Sequence, residues 1–386
     1  SWAPVRHSDA AIVSKFGQLQ GLEGLGSPTR AEFRPFSLAR IDRRPGDEEN
    51  PFYEASDLRG SAGIDLKYGV TNNLTLDLTI NPDFGQVEAD PGQVNLSAFE
   101  TFYPEQRPFF LEGAGIFNFG IGVGGGGLAE ETLFYSRRIG RPPQGYPDSQ
   151  GGFSDTPDLA TILGAWKLSG KTQGGWSIGL LHSVTAEEEA RIVTHDGSRF
   201  REAVEPLSNF GVARVQKDFR DGQSALGFIG TVTHRNSEVA HDLGIRSGAF
   251  SGGVDFRHRF GPDDRYQVQA YALGSHVRGS ADAMARTQRY ASRYFQRTDA
   301  DHTEYDTSLT SLSGWAAKFD FLKVGGGFWN WGSLATAKSP GFEVNDLGYQ
   351  READLILHAV FAGYNHYTPT EHFRRWNLNT SAWHGW

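Results

Sequence analysis

Cysteine is absent and methionine occurs once in the 386 residues, so disulfides and thiol catalysis are excluded. That absence fits an oxidising envelope without requiring one. Nor is there any run near the roughly 18 apolar residues a membrane-crossing helix needs. The best stretch, Leu355–Tyr364 (LILHAVFAGY), has ten residues and contains His358. A basic excess is missing too. Against 46 Asp and Glu stand 37 Lys and Arg, a net charge of −9 that supplies no overall field for phosphate backbones, so no nucleic acid partner is expected. His358, His366 and His372 form no H-E-x-x-H, and the serines are read as isolated rather than as a G-x-S-x-G elbow. Gly122–Gly127 (GVGGGG) has no following Lys-Ser/Thr and reads as a flexible connection rather than a phosphate loop. The opening residues, SWAPVRHSDA, lack the charged start and apolar core of a signal peptide, so an exported protein would be represented in trimmed form.

What the chain does have is glycine, 48 residues, and aromatic rings, 13% of the total, distributed through short runs that alternate apolar and polar residues. A period of two belongs to strands with two unlike faces. A membrane barrel strand needs only about ten such residues, which keeps mean hydropathy low; here it is −0.46. Thr161–Leu168 and Gly175–Val184 predict a hairpin with Ile162, Trp166 and Leu168 on one face and Thr161 and Lys167 on the other. Phe210–Phe219 and Ala225–His234 predict a second, turning at Arg220–Gln223, with Leu226, Phe228 and Val232 sharing a face. A third turns at Gly261–Asp264 and returns with Tyr266, Val268, Ala270 and Ala272 on one side. Further pairs are expected in Ser313–Trp331 and Ala353–Trp386, and the polar stretch Asp282–Asp306 reads as an outside loop. The competing reading is a soluble sheet with one wet face.

Thr79–Gly113 follows neither period. Asp83, Glu88, Asp90, Glu100, Glu105 and Glu112 are crowded there with Arg107, prolines and rings, which predicts a shaped polar element folded into a barrel. All seven charged residues are candidates for contact with ligand or ion. Several carboxylates suit a hard cation such as Ca²⁺, but EF-hand spacing is lacking, so ion pairing with arginines, Arg107 locally, is the expected state. No cofactor is expected otherwise. Pro104 and Pro108 are expected to fix an extended turn, with Phe109-Phe110-Leu111 anchoring it on an apolar surface. A glycosidase built on Glu100 with Glu105 or Asp90 would need two carboxylates facing each other across a cleft.

Six stretches carry a resemblance. Gly63–Val70, Asn73–Asp77, Asn81–Asp90 and Phe102–Gly113 (FYPEQRPFFLEG) resemble the signature of an uncharacterised bacterial family, as do Gly341–Tyr349 (GFEVNDLGY) and Trp376–Asn379. Its members are expected to be outer-membrane β-barrels that often follow a domain resembling family 9 carbohydrate-binding modules. No such domain is read in these residues, and further strands are expected where the sequence stops at Trp386. The resemblance implies a Gram-negative outer-membrane location, lipid or lipopolysaccharide contact, envelope protein partners and a polysaccharide ligand.

The resulting expectation is an all-β, antiparallel transmembrane barrel, or an incomplete piece of a larger one. Residues 1–60 form a connecting segment and first strand region, 61–386 the barrel, and 79–113 its inward-folded polar segment. Porin-like passage or surface binding of a polar solute is the expected function. An envelope glycoside hydrolase and a structural or assembly component are the alternatives.

Overall fold

A computed structural model describes residues 30–43, 45–47, 49–82, 94–122 and 131–385. Within them lie β1 (Ala31–Asp42), β2 (Asp57–Gly69), β3 (Leu74–Ile80), β4 (Phe153–Asp155), β5 (Ile162–Lys171), β6 (Trp176–Thr185), β7 (Glu188–Val193) and β8 (Arg199–Glu205). The second half holds β9 (Ser208–Phe219), β10 (Ser224–Arg235), β11 (Arg246–Phe260), β12 (Tyr266–Gly279), β13 (Ser311–Lys323), β14 (Trp329–Lys338), β15 (Leu355–His366) and β16 (Trp376–Gly385). Four short helices, α1 (Pro108–Leu111), α2 (Ala114–Phe117), α3 (Ser237–Asp242) and α4 (Ala281–Arg289), lie in the connections.

Thirteen strands make one sheet in the order β1-β2-β3-β5-β6-β9-β10-β11-β12-β13-β14-β15-β16, and β4, β7 and β8 make a small second one. Each neighbouring pair runs antiparallel. All the expected hairpins are present. Their turns sit where the backbone needs positive φ, at Asp221 (54°), Gly222 (84°) and Asp263 (54°), positions that Gly and Asp tolerate best.

Because neighbours are antiparallel, the two rims differ. Tight turns at 70–73, 172–175, 220–223, 261–265 and 324–328 share one rim, while the long connections 81–161, 186–207, 236–245, 280–310 and 339–354 share the other. Outward-facing rings gather at the tight-turn rim: Phe260 stacks on Phe321 at 6.3 Å, Phe321 meets Trp331 at 5.4 Å, and Tyr364 meets Trp376 at 5.2 Å.

Burial along the strands departs from that of a soluble sheet, with large apolar side chains exposed on one face and charges buried on the other. On β5, Trp166 is 38% exposed and its neighbour Lys167 1%; on β10, Phe228 is 50% exposed and Arg235 1%. Leu226, Val254, Phe256 and Phe319 are exposed on one face, while Arg214, Thr233, Gln267, Asp320 and Lys338 are buried on the other. The buried face is covered by long connections that fold back over it. Phe110, Phe117, Ile139 and Leu347 pack there on Leu181, Phe210 and Val212, and Phe119, Ile121, Leu133 and Phe342 pack on Ile229, Tyr271 and Leu273. Two glycines permit the approach. A Cβ on Gly179 would meet the Phe117 ring at 2.9 Å, and one on Gly314 would meet the Phe342 amide nitrogen at 2.1 Å.

Several expectations need correction. The sheet does not close, since among the described residues β1 and β16 do not pair. Ile162 belongs with Lys167 on the buried face, because a register shift between Ile162 and Gly164 inserts one residue and reverses alternation. Thr79 and Ile80 end β3 rather than opening the polar segment. Asp282–Asp306 is no simple outside loop: α4 buries Met284 and Ala283 against Val277 and Ala249.

Candidate functional site

The motif around residue 105 is held by two others far along the chain. Phe102 stacks on Tyr135 at 4.9 Å and meets Tyr349 edge-on at 5.2 Å. The Tyr135 hydroxyl accepts from the Tyr103 amide (3.1 Å) and donates to its carbonyl (2.9 Å), while the Tyr349 hydroxyl donates to the Glu100 carbonyl at 2.6 Å. Burial pushes both phenols up from their ordinary range.

Asp83, Glu88 and Asp90 lie outside the described residues. The remaining candidates do not converge; each faces a cation of its own. Glu105 accepts from Arg107 Nε (2.9 Å) and Nη2 (2.7 Å) and from the Ser136 hydroxyl (2.6 Å), and Arg107 also donates to the Ile139 and Ser136 carbonyls. Glu100 takes a two-pronged contact from Arg138, at 2.8 and 2.7 Å. Glu112 pairs with Lys67, and its carbonyl accepts from the buried Lys167 at 2.7 Å. Phe110 is buried as expected of the anchor, and the Arg107 guanidinium lies 4.3 Å from its ring centre, whereas Leu111 is exposed. Among the described residues no three His, Asp or Glu side chains are grouped to hold a metal ion.

The deepest charge network involves residues that sequence reasoning missed. Asp346 accepts from Arg235 Nη1 at 2.6 Å, and Arg246 Nε lies 2.7 Å from its other oxygen. That second contact is a charge contact only, since the oxygen has no hydrogen-bond donor. Glu343 pairs with Arg293 and lies 3.5 Å from Arg246. Glu131 pairs with Lys338 of β14 and accepts from the Arg351 amide at 2.7 Å. The missed signal was the run Glu343 to Asp346 inside a motif already noted, and the arginines at the facing ends of β10 and β11.

Beside this network is a cavity of about 260 Å³ whose charged lining is Glu100, Arg138, Arg141, Arg246 and Arg351. A larger one of about 620 Å³ lies between the inserted segment and the sheet, lined by rings such as Phe102, Phe117 and Phe134 and by Gln269 and Lys318. No two carboxylates face each other across the smaller cavity, so a glycosidase pair finds no place there. Gly175–Gly179 (GWSIG) does spell G-x-S-x-G, correcting the reading of isolated serines. Yet Ser177 lies within β6, paired with Lys171 and Gln216, and no strand-to-helix turn follows, so it makes no nucleophile elbow.

Burial would raise the Glu105 carboxyl, but hydrogen bonds and charge from Arg107, with the Ser136 hydroxyl, outweigh it and hold the group below its ordinary range. A depressed carboxylate contributes stability above its unfolded pKa, about 4.3, and loses it as pH falls through the folded value. Glu105→Gln is therefore expected to cost about 1.5–3 kcal/mol at neutral pH and nothing at strongly acid pH. Unfolding temperature measured from pH 3 to 7 checks this; parallel curves for both proteins would refute it.

A model of the domain of unknown function DUF5916 matches residues 27–385. No curated protein sequence matches. Among solved structures, the outer membrane protein OmpT of Vibrio cholerae, folded in vitro as a trimer, is 9% identical at a TM-score of 0.27, covering 93% of this chain and 100% of its own. Its loop L8 deletion mutant gives 8% and 0.25 with the same coverage. At these scores the likeness lends nothing to the reading below, which stands on the burial pattern.

Proposed function

The chain belongs to the DUF5916 family, and from its geometry we propose an outer-membrane β-barrel protein for passage or surface binding of a polar solute. The burial of the strands carries this reading: Trp166, Leu226, Phe228, Val254, Phe256 and Phe319 are exposed on the outer face, while Lys167, Arg214, Arg235 and Lys338 are buried on the inner one beside apolar residues such as Ile229 and Leu273. Such a sheet suits lipid outside and polar contents inside. Strand lengths of 10 to 15 residues in β5, β6 and β9 to β16 match a tilted crossing, and tight turns at one rim with long connections at the other support it further. An oligosaccharide is the favoured solute, on the family resemblance alone.

In lipid the edges at β1 and β16 have to be covered. With thirteen strands in an antiparallel meander, the first and last run the same way, so antiparallel closure takes an odd number of further strands. Edges open among the described residues also favour a second reading, a component that assembles with envelope proteins, for which co-purification is the test.

Refolded protein in a planar bilayer, with heat-modifiable gel mobility alongside, tests the main reading. Small current steps are expected, becoming more frequent in Glu131→Gln, which breaks the buried pair tying the connection between β3 and β4 to β14. A heat-modifiable protein without current is a plugged binder. Failure to insert at all overturns the membrane assignment.

A further inference from the structure

Two residues that line the smaller cavity each hold a polar atom that has no hydrogen-bond partner among the described residues. These are Arg141 Nη2 and Ser292 Oγ, both inaccessible to water. Such atoms cost free energy unless something satisfies them, and both side chains are half-buried, so that each remains partly open to the space beside it. The other cations of the lining are differently placed. Arg138 is held by Glu100, and Arg246 lies between Asp346 and Glu343. Among the described residues neither Arg141 nor Arg351 joins an ion pair, and the Arg351 guanidinium faces the Phe99 ring, 5.2 Å from its centre. Four arginines thus line the space against one acid, Glu100. The electropositive surroundings register on Arg141 itself: burial, then the charges of Arg235 and Arg138, push its guanidinium down to about 9.

We propose that this cavity binds the oxyanion group of a small polar solute, a carboxylate or phosphate, with Arg141 and Ser292 as donors and Arg351 as a further cation. A guanidinium fork matches the spaced oxygens of either group. The volume, about 260 Å³, admits a single sugar acid rather than a polymer segment. Its walls come from residues 98–100, 138–144, 290–292 and 345–351 and the start of β11, which places it at the rim of long connections, where a solute entering from that side would meet it first. Calling it an entry subsite rests on the polar-solute reading; the anion chemistry does not.

Calorimetric titration of the full chain, refolded in detergent, tests it with sodium glucuronate, inorganic phosphate and uncharged glucose. Saturable binding of glucuronate or phosphate is expected, and none of glucose; which anion binds tells carboxylate from phosphate. Arg141→Met is expected to weaken binding about tenfold or more and Ser292→Ala about threefold, while Arg220→Met, in an exposed turn at the opposite rim, leaves it unchanged. Removing an uncompensated arginine is also expected to leave the unliganded protein no less heat-resistant. Should Arg141→Met fail to fold, Ser292→Ala and Arg351→Gln decide, and unchanged affinity in both overturns the proposal. So does a folded wild type that binds no anion, even if it inserts and conducts, in which case the barrel reading survives alone. Anion binding by a protein that never inserts keeps the site and removes the membrane.

Discussion

Asp346→Asn is expected to lower the unfolding free energy by about 3–5 kcal/mol, the cost of removing one partner from a buried ion pair. The isosteric amide keeps the shape, removes the charge and turns one acceptor oxygen into a donor facing an arginine. Asp346 and Arg235 have side chains 3% and 1% exposed, and Arg246 shares the same carboxylate. Burial alone would raise this acid; Arg246, Arg235 and Arg141 outweigh it and hold it far below the ordinary range. Its contribution is thus present at every pH above that range and disappears only in strong acid. The urea midpoint of the change in folded gel mobility measures the loss, with an unshifted midpoint sinking the prediction. Arg235→Met added to Asp346→Asn is expected to recover part of it, because the second change removes a charge the first left uncompensated. Simple additivity of the two costs would show that the pair does not act as a unit.

Phe228→Arg separates the membrane from the soluble reading more sharply than any loss of activity. Phe228 is on the outer face of β10, with Leu226 and Val232 on the same strand and Val254 directly across on β11. In lipid, an arginine near mid-strand is expected to cost about 2–4 kcal/mol and to reduce insertion into vesicles severely. In water the same change at a half-exposed position would be neutral or would improve solubility. The yield of protease-protected protein after refolding into vesicles distinguishes them. Unimpaired insertion of the variant would return the outer face to solvent.

The hairpins were legible because alternation and turn chemistry act over two to four residues: Leu226, Phe228 and Val232 share a face, and Asp221 and Asp263 take the positive φ their turns demand. The exception at Ile162 arises from one extra residue, and nothing in ILGAW marks it before the register with Thr185 and Val184 is seen. The acids of the polar segment were legible as charged and crowded, but not as paired. Arg138 lies 38 residues from Glu100, Arg235 111 from Asp346, and Lys338 207 from Glu131. Such partners are chosen by which connections fold back over the sheet, and no local pattern records that choice.

The sequence by itself therefore determined the strands, the tight turns, the two unlike faces and the absence of any helix able to cross a membrane, since each follows from the chemistry of neighbouring residues. The tertiary structure decided that the face carrying the strand arginines and lysines is the covered one and, among the described residues, that the sheet is open at β1 and β16 and that Arg141 and Ser292 line one cavity with unpartnered atoms. Those outcomes depend on segments far apart in the chain excluding water from the same space, and only their packing determines which charges end without a counter-charge.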